Sequence, residues 1–86
     1  MPVSVRFLLD ADSCPGLLPR LLQPFARRGL TPDRMWSHRA NDTMHVEIAL
    51  DAMPAEEVHL VEGNLRQVVG VRQVLQARPE RIRAVG

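Results

Sequence analysis

Apolar and polar residues alternate along two stretches of the chain, and this alternation predicts two β-strands, each with one face toward a core. The inward set of the first strand is Val3, Val5, Phe7 and Leu9. The inward set of the other, which has the most regular pattern in the sequence, is Met44, Val46, Ile48 and Leu50. Residues 32–40 and 71–76 are predicted as two further strands. Asn41 and Asp42 favour a hairpin turn between residues 32–40 and the strand that follows.

Apolar residues at helical spacing predict two helices between the strands. In the first helix, five apolar side chains share one arc at about 100° per residue; they are Leu17, Leu18, Leu21, Leu22 and Phe25. Gly29 is a suitable residue to end this helix. Pro19 would fit in its first turn, whereas Pro24 is expected to kink the helix or break it near Arg20, because proline lacks an amide hydrogen. The second helix would open at Pro54, stop at Gly70 and bury Val58, Val61, Leu65 and Val68.

These elements, joined by short connections, predict an α+β fold of the ferredoxin-like βαββαβ type. A four-stranded antiparallel sheet would carry both helices on one face, within a domain of residues 1–77. The other face would be polar, with Ser4, Arg6, His45 and Glu47. Met35 and Trp36 are expected to pack in the core, with an interface anchor as the second interpretation of Trp36. Residues 78–86 are interpreted as a polar, Arg-rich tail.

Length and charge narrow the classes of function. A chain of 86 residues is one domain and is marginal as a monomer, so we expect a homodimer formed through a sheet edge. The net charge of +1 gives no electrostatic footprint for nucleic acid. No apolar run approaches the roughly 20 residues of a membrane span, and we expect no secretory signal before Val3. The single cysteine, Cys14, excludes an internal disulfide and fits the cytoplasm.

The histidine, cysteine and aspartate residues that could form a metal or catalytic site have simpler structural explanations. His38, His45 and His59 lack the i, i+4 spacing of a helical metal site, so we predict no metal and no other cofactor. Cys14 would lie near a helix N-terminus, but no nearby residue supplies a base, which favours a turn residue over a nucleophile. Asp10 and Asp12 fall in a predicted loop from Asp10 to Gly16 and are interpreted as turn or capping residues.

The segment from Asp12 to Gly16 is the stronger candidate, because it joins a strand to a helix N-terminus. Free amide groups at such a terminus favour a carboxylate or another anion. Gly16 allows a close approach of the backbone. We therefore consider ligand binding here alongside a plain strand-to-helix turn.

Three stretches together resemble a known family. Residues 5–12 (VRFLLDAD), 15–22 (PGLLPRLL) and 25–30 (FARRGL) resemble the first strand, glycine loop and first helix of ACT domains. Residues 44–50 (MHVEIAL) resemble their third strand, and residues 64–74 (NLRQVVGVRQV) resemble the end of the acetolactate synthase small subunit. The resemblance covers about residues 3–76 and is closest to the short form of that subunit.

The resemblance implies a regulatory subunit that is not itself an enzyme. ACT domains pair side by side and bind a small amino acid against the loop after the first strand, which here points to Asp12 and Gly16, with Leu17 beside them. The partner would be a catalytic large subunit that uses thiamine diphosphate, and the effector a branched-chain amino acid. Ser13 and Cys14 make the loop one residue longer than is typical, so activation of a partner without effector binding stays open. The alternatives are a stand-alone amino-acid-binding module that serves another enzyme or regulator, and a small ferredoxin-like enzyme.

Overall fold

The computed structural model describes residues 1–78 and has the predicted α+β architecture. Its strands are β1 (Pro2–Asp12), β2 (Arg34–Ala40), β3 (Thr43–Pro54) and β4 (Val71–Ala77), and its helices are α1 (Leu17–Arg27) and α2 (Val58–Arg66). A short 3-10 turn, Ala55–Glu57, precedes α2. The strands form one antiparallel sheet in the order β2-β3-β1-β4. This arrangement confirms the ferredoxin-like fold.

The core lies between the helices and the two central strands. Inward residues of β1 and β3 alternate as predicted, and Phe7 is fully buried against Phe25 of α1, with ring centroids 5.7 Å apart in an edge-to-face arrangement. The apolar stripe of α2, which includes Val58, Val61 and Leu65, is also fully buried. The core therefore has the sequence pattern of one buried sheet face and two buried helix stripes.

Helix α1 is continuous through Pro24, so the predicted break near Arg20 is wrong. Pro24 is itself buried, as are Leu21 and Phe25 of the same helix, and this burial offsets the missing hydrogen bond. Gly29, with a φ of 70°, ends the helix as predicted. The amide of Gly29 donates to Ala26 O and that of Leu30 to Phe25 O, at 3.1 and 2.9 Å, which is the Schellman arrangement.

Strand β2 corrects the expectation that Met35 and Trp36 pack in the core. The two side chains are 36% and 58% exposed. The reason is topological: β2 is an edge strand that pairs only with β3, and the exposure of its residues shows that neither helix covers it. The second interpretation, in which Trp36 anchors an interface, is compatible with this exposure.

Smaller differences concern the ends of the elements. Asp10 and Asp12 belong to β1, whereas the sequence suggested a loop from Asp10 onward. Pro54 ends β3 and precedes the 3-10 turn. The predicted tail from residue 79 onward lies outside the described residues. Within residues 1–78, neither helix is long and apolar enough to cross a membrane.

Candidate functional site

The segment that joins β1 to α1, residues 12–17, is held in place by two neighbouring turns. The amide of Asp12 donates to Gly70 O at 2.8 Å, in the turn before β4. The amide of Ser13 donates to Asp42 O, also at 2.8 Å, in the hairpin between β2 and β3. These bonds fix the backbone of this segment, which we call the effector loop because the sequence resemblance predicts effector binding there.

Gly16 gives the effector loop its change of direction. Its φ of 78° and ψ of 4° lie in the left-handed region, where residues with a side chain are strained. A Cβ at this position would meet no atom within 4 Å, so the backbone conformation and not space requires glycine. The carbonyl of Gly16 accepts the amide of Arg20 at 3.2 Å and starts α1.

Asp12 carries the carboxylate of the effector loop and is engaged by Arg72 of β4. Arg72 Nε donates to Asp12 Oδ1 at 2.7 Å, its Nη2 contacts the same oxygen, and its Nη1 lies 3.4 Å from Thr43 Oγ1. Both charged side chains are about half exposed. An anionic group of the effector loop and a cationic group of β4 therefore lie side by side at the surface.

Leu17 lies beneath this surface. Its side chain is only 2% exposed and belongs to the core, while its amide donates to Cys14 O at 3.3 Å. Of the three residues predicted to contact an effector, Asp12 and Gly16 are therefore accessible, whereas the side chain of Leu17 is buried in the core.

Arg20 supports the effector loop from the first turns of α1. Its guanidinium donates to Gly16 O and Pro15 O, each at 3.2 Å, and lies 3.5 Å from Cys14 Sγ. The sequence reasoning missed Arg20 and Arg72. The i, i+4 spacing from Gly16 could have identified Arg20, but Arg72 is 60 residues from Asp12 and only the sheet topology brings the two together.

The open face of the sheet has a central row of three apolar residues and one glutamate, with polar residues in the rows on either side. The central row crosses all four strands in register and consists of Trp36, Glu47, Leu8 and Leu75. On one side of it Arg6 Nη1 donates to Glu47 Oε2 at 3.1 Å. The predicted polar character of this face holds for Arg6, His45 and Glu47, but exposed Leu75 and Trp36 interrupt it.

The histidines on this face, His38 and His45, contact side chains on the same and neighbouring strands. His45 Nδ1 lies 2.6 Å from Asp10 Oδ1, and the rings of Trp36, His38 and His45 are stacked at successive centroid distances of 5.8 and 6.5 Å. Within residues 1–78, no three His, Cys, Asp or Glu side chains are placed to hold a metal ion. Cross-strand packing and hydrogen bonding account for these residues.

The outer edge of β2 offers backbone groups that β3 does not use. Ala40 and Thr43 flank the two-residue turn, and such closing pairs are hydrogen-bonded, with bonded and non-bonded pairs then alternating along the strands. Arg34, Trp36 and His38 therefore bond to β3. The amide of Asp33, which donates to Ala49 O at 2.9 Å, agrees with this pattern because it places that carbonyl toward β2. The N–H and C=O groups of the alternate residues face the open edge; these residues are Met35, Ser37 and Arg39.

Several solved structures have a similar fold. A homoserine dehydrogenase from Thiobacillus denitrificans matches with a TM-score of 0.78 and 16% identity; the match covers 93% of this chain but only 18% of that one. The ACT domain of a GTP pyrophosphokinase from Chlorobium tepidum has a TM-score of 0.76 and 9% identity, with coverage of 90% and 100%. An uncharacterized protein from Thermotoga maritima has a TM-score of 0.74 and 10% identity, with coverage of 93% and 100%.

At these identities the structural matches show the fold alone, and none of the curated proteins matches the sequence significantly. The sequence itself matches the family model described as an ACT-like domain, over residues 1–81. That span includes every element of the fold and the whole effector loop. The chain therefore belongs to the ACT-like domain family.

Proposed function

We propose that this chain is a regulatory subunit that pairs with a second copy through β2 and binds a small amino acid at the effector loop. ACT domains as a class are regulatory modules that bind amino acids. The observation that carries the proposal is the pairing of Asp12 with Arg72 beside a rigid, glycine-containing loop at a helix start. An α-amino acid carries one ammonium and one carboxylate group, and these two side chains offer a partner for each.

The energetics of the Asp12–Arg72 pair allow such an exchange. Exposed ion pairs contribute between about 0 and 1 kcal/mol, so separating the two groups to admit a zwitterion costs little. The loop backbone does not have to move, since the turns on either side already hold it. Preorganisation of this kind favours binding because less conformational freedom is lost.

Pairing through β2 follows from its free edge. An antiparallel partner centred on Ser37 would pair Ser37 with its own copy and Met35 with Arg39 of the second copy, and would extend the sheet to eight strands. Trp36 and the second copy's His38 would then be neighbours on the open face. β4 is less suitable, because α2 packs along it and its Gln76 side chain is bonded to Glu62.

The cellular location and the partner enzyme of this chain are proposed from the sequence resemblance. The resemblance to the acetolactate synthase small subunit favours that enzyme's large subunit as partner and a branched-chain amino acid as effector, in the cytoplasm. An effector can regulate the complex only if it binds two of its states with different affinity. Serving another amino-acid enzyme or a regulator is the alternative partner role.

Calorimetric titration of the chain with valine, leucine and isoleucine at millimolar concentration tests the sensing function. We expect binding heat with at least one of them, its loss in Asp12→Asn, and its retention in Asp10→Asn, an aspartate on the same strand that pairs with His45. Absence of heat with all three amino acids would remove branched-chain sensing from the proposal.

Activation of a partner without an effector is a second candidate function. The residue that lengthens the effector loop beyond the typical ACT pattern favours this role, because it changes the geometry of the loop that would hold a ligand. In that case the chain should co-purify with a thiamine-diphosphate enzyme and raise its activity equally with and without added amino acid. A catalytic subunit that neither binds the chain nor responds to it would exclude this function for the enzyme tested.

A further inference from the structure

A cleft of about 240 Å³ separates α1 from the end of α2, on the face of the domain opposite the open sheet. Its polar lining consists of Arg20, Gln23 and Arg27 from one stripe of α1, together with Asn64 and Gln67. Val68 and buried Pro24 supply apolar surface. The cleft is smaller than the roughly 300 Å³ and more of pockets for drug-sized ligands, so it suits a small molecule.

The cleft is positively charged. No aspartate or glutamate lines it, and helix α1 contains neither residue type. None of the ion pairs within residues 1–78 involves Arg20, Arg27 or neighbouring Arg28. Arg28 instead donates to Asn64 Oδ1 at 3.1 Å and links the two helices. The two arginines of the lining therefore have no carboxylate partner among the described residues.

We propose that this cleft binds a small dianion, such as a dicarboxylate or a phosphate monoester, through Arg20 and Arg27. A guanidinium presents a planar set of donors that matches carboxylate and phosphate oxygens, and hydrogen bonds between charged partners are the strong ones. The side-chain amides of Gln23 and Gln67 can donate to further oxygens at the rim.

An anion bound in the cleft would affect the effector loop through Arg20, which contacts both. That guanidinium now donates to the carbonyls of Pro15 and Gly16, and an anion in the cleft competes for the same donors. The anion would thus loosen the support of the effector loop and alter its affinity for an amino acid. This coupling rests on the proposed function, whereas anion binding itself does not.

Amide chemical shifts in ¹⁵N-labelled protein test the proposal, with sodium phosphate, sodium succinate and sodium chloride added at equal ionic strength. We expect saturable shifts along residues 20–27 and 64–69 with phosphate or succinate, and the stronger of the two identifies the ligand class. Arg27→Gln should weaken this binding at least about tenfold, while Arg78→Gln, an exposed arginine outside the cleft, should change it less than about twofold.

Equal shifts with chloride, or unchanged binding in Arg27→Gln, would overturn the proposal. Shifts of the Gly16 and Leu17 amides that occur in the wild type and vanish in Arg20→Gln would demonstrate the coupling, and their absence in the wild type would refute it. A chain that binds no amino acid in calorimetry can still show the shifts on the helices, so the two proposals fail separately.

Discussion

Replacement of Ser37 by proline should separate the proposed pair of chains without disturbing either fold. By the alternation along β2, the amide of Ser37 faces the free edge and is not used by β3. Proline is tolerated on edge strands where its ring faces solvent. In the pair the same position lies at the centre of the new ladder, where the lost donor and the ring both oppose pairing.

The magnitude follows from the register. A two-fold axis at Ser37 creates about six backbone hydrogen bonds, two of them between the Ser37 residues themselves. Ser37→Pro removes those two. At about 1 kcal/mol for each, the association free energy falls by about 2 kcal/mol, and the dissociation constant rises at least about 30-fold.

Sedimentation equilibrium over a range of protein concentrations measures this constant. Ser37→Thr is the matched control, because it keeps the amide and should stay within about 0.5 kcal/mol of the wild type. Thermal unfolding at concentrations where all variants are monomeric should show that the fold of Ser37→Pro is retained. A proline variant that dimerises as tightly as the wild type would refute pairing through this edge.

Two further predictions concern the stability of the single chain. Gly16→Ala should lower the free energy of unfolding by about 1 kcal/mol, because a residue with a side chain is strained at a φ of 78°. Gly63→Ala lies within α2, where a new Cβ would meet no atom within 4 Å, and should raise the free energy of unfolding by up to about 1 kcal/mol. Urea denaturation measures both changes, and equal effects of the two substitutions would contradict the conformational explanation. Hydrogen bonds from Arg66 and, more weakly, Gln76 lower the pKa of Glu62. Since the folded pKa lies below the unfolded one, this stabilisation is present above about pH 4.3 and is lost as the pH falls through the folded pKa. Glu62→Gln should therefore cost about 1–2 kcal/mol at pH 7 and progressively less below about pH 4, and a cost that does not change between pH 7 and pH 3 would contradict the role of the charge.

The sequence predicted most of the fold because its elements depend on local patterns. The alternation in β1 and β3 and the helical stripe of α2 each describe one buried face, which tertiary contacts then cover. Gly29 ended α1 as expected, since its left-handed conformation is a local requirement. These features needed no knowledge of distant residues.

What the sequence did not predict depends on topology. The exposure of Trp36 arises because β2 lies at the sheet edge, and strand order is not encoded in the alternation of a single strand. The ion pair between Asp12 and Arg72 likewise depends on β1 and β4 being neighbours. The continuity of α1 through Pro24 was not predicted, because the cost of proline within a helix is a local effect, whereas the burial that offsets it is tertiary. The place of residues 12–17 between β1 and α1 was predicted, but the contacts of Arg20 and Arg72 with this segment were not.

Amide hydrogen exchange along β2, measured by NMR at low and high protein concentration, tests the paired arrangement most directly. In separate chains the amides of Trp36 and His38 should exchange slowly and those of Met35, Ser37 and Arg39 rapidly, because only the first two bond to β3. On pairing, all five should become slow. If the alternating pattern persists at concentrations where the protein sediments as a dimer, the second copy binds elsewhere and the proposed assembly is wrong.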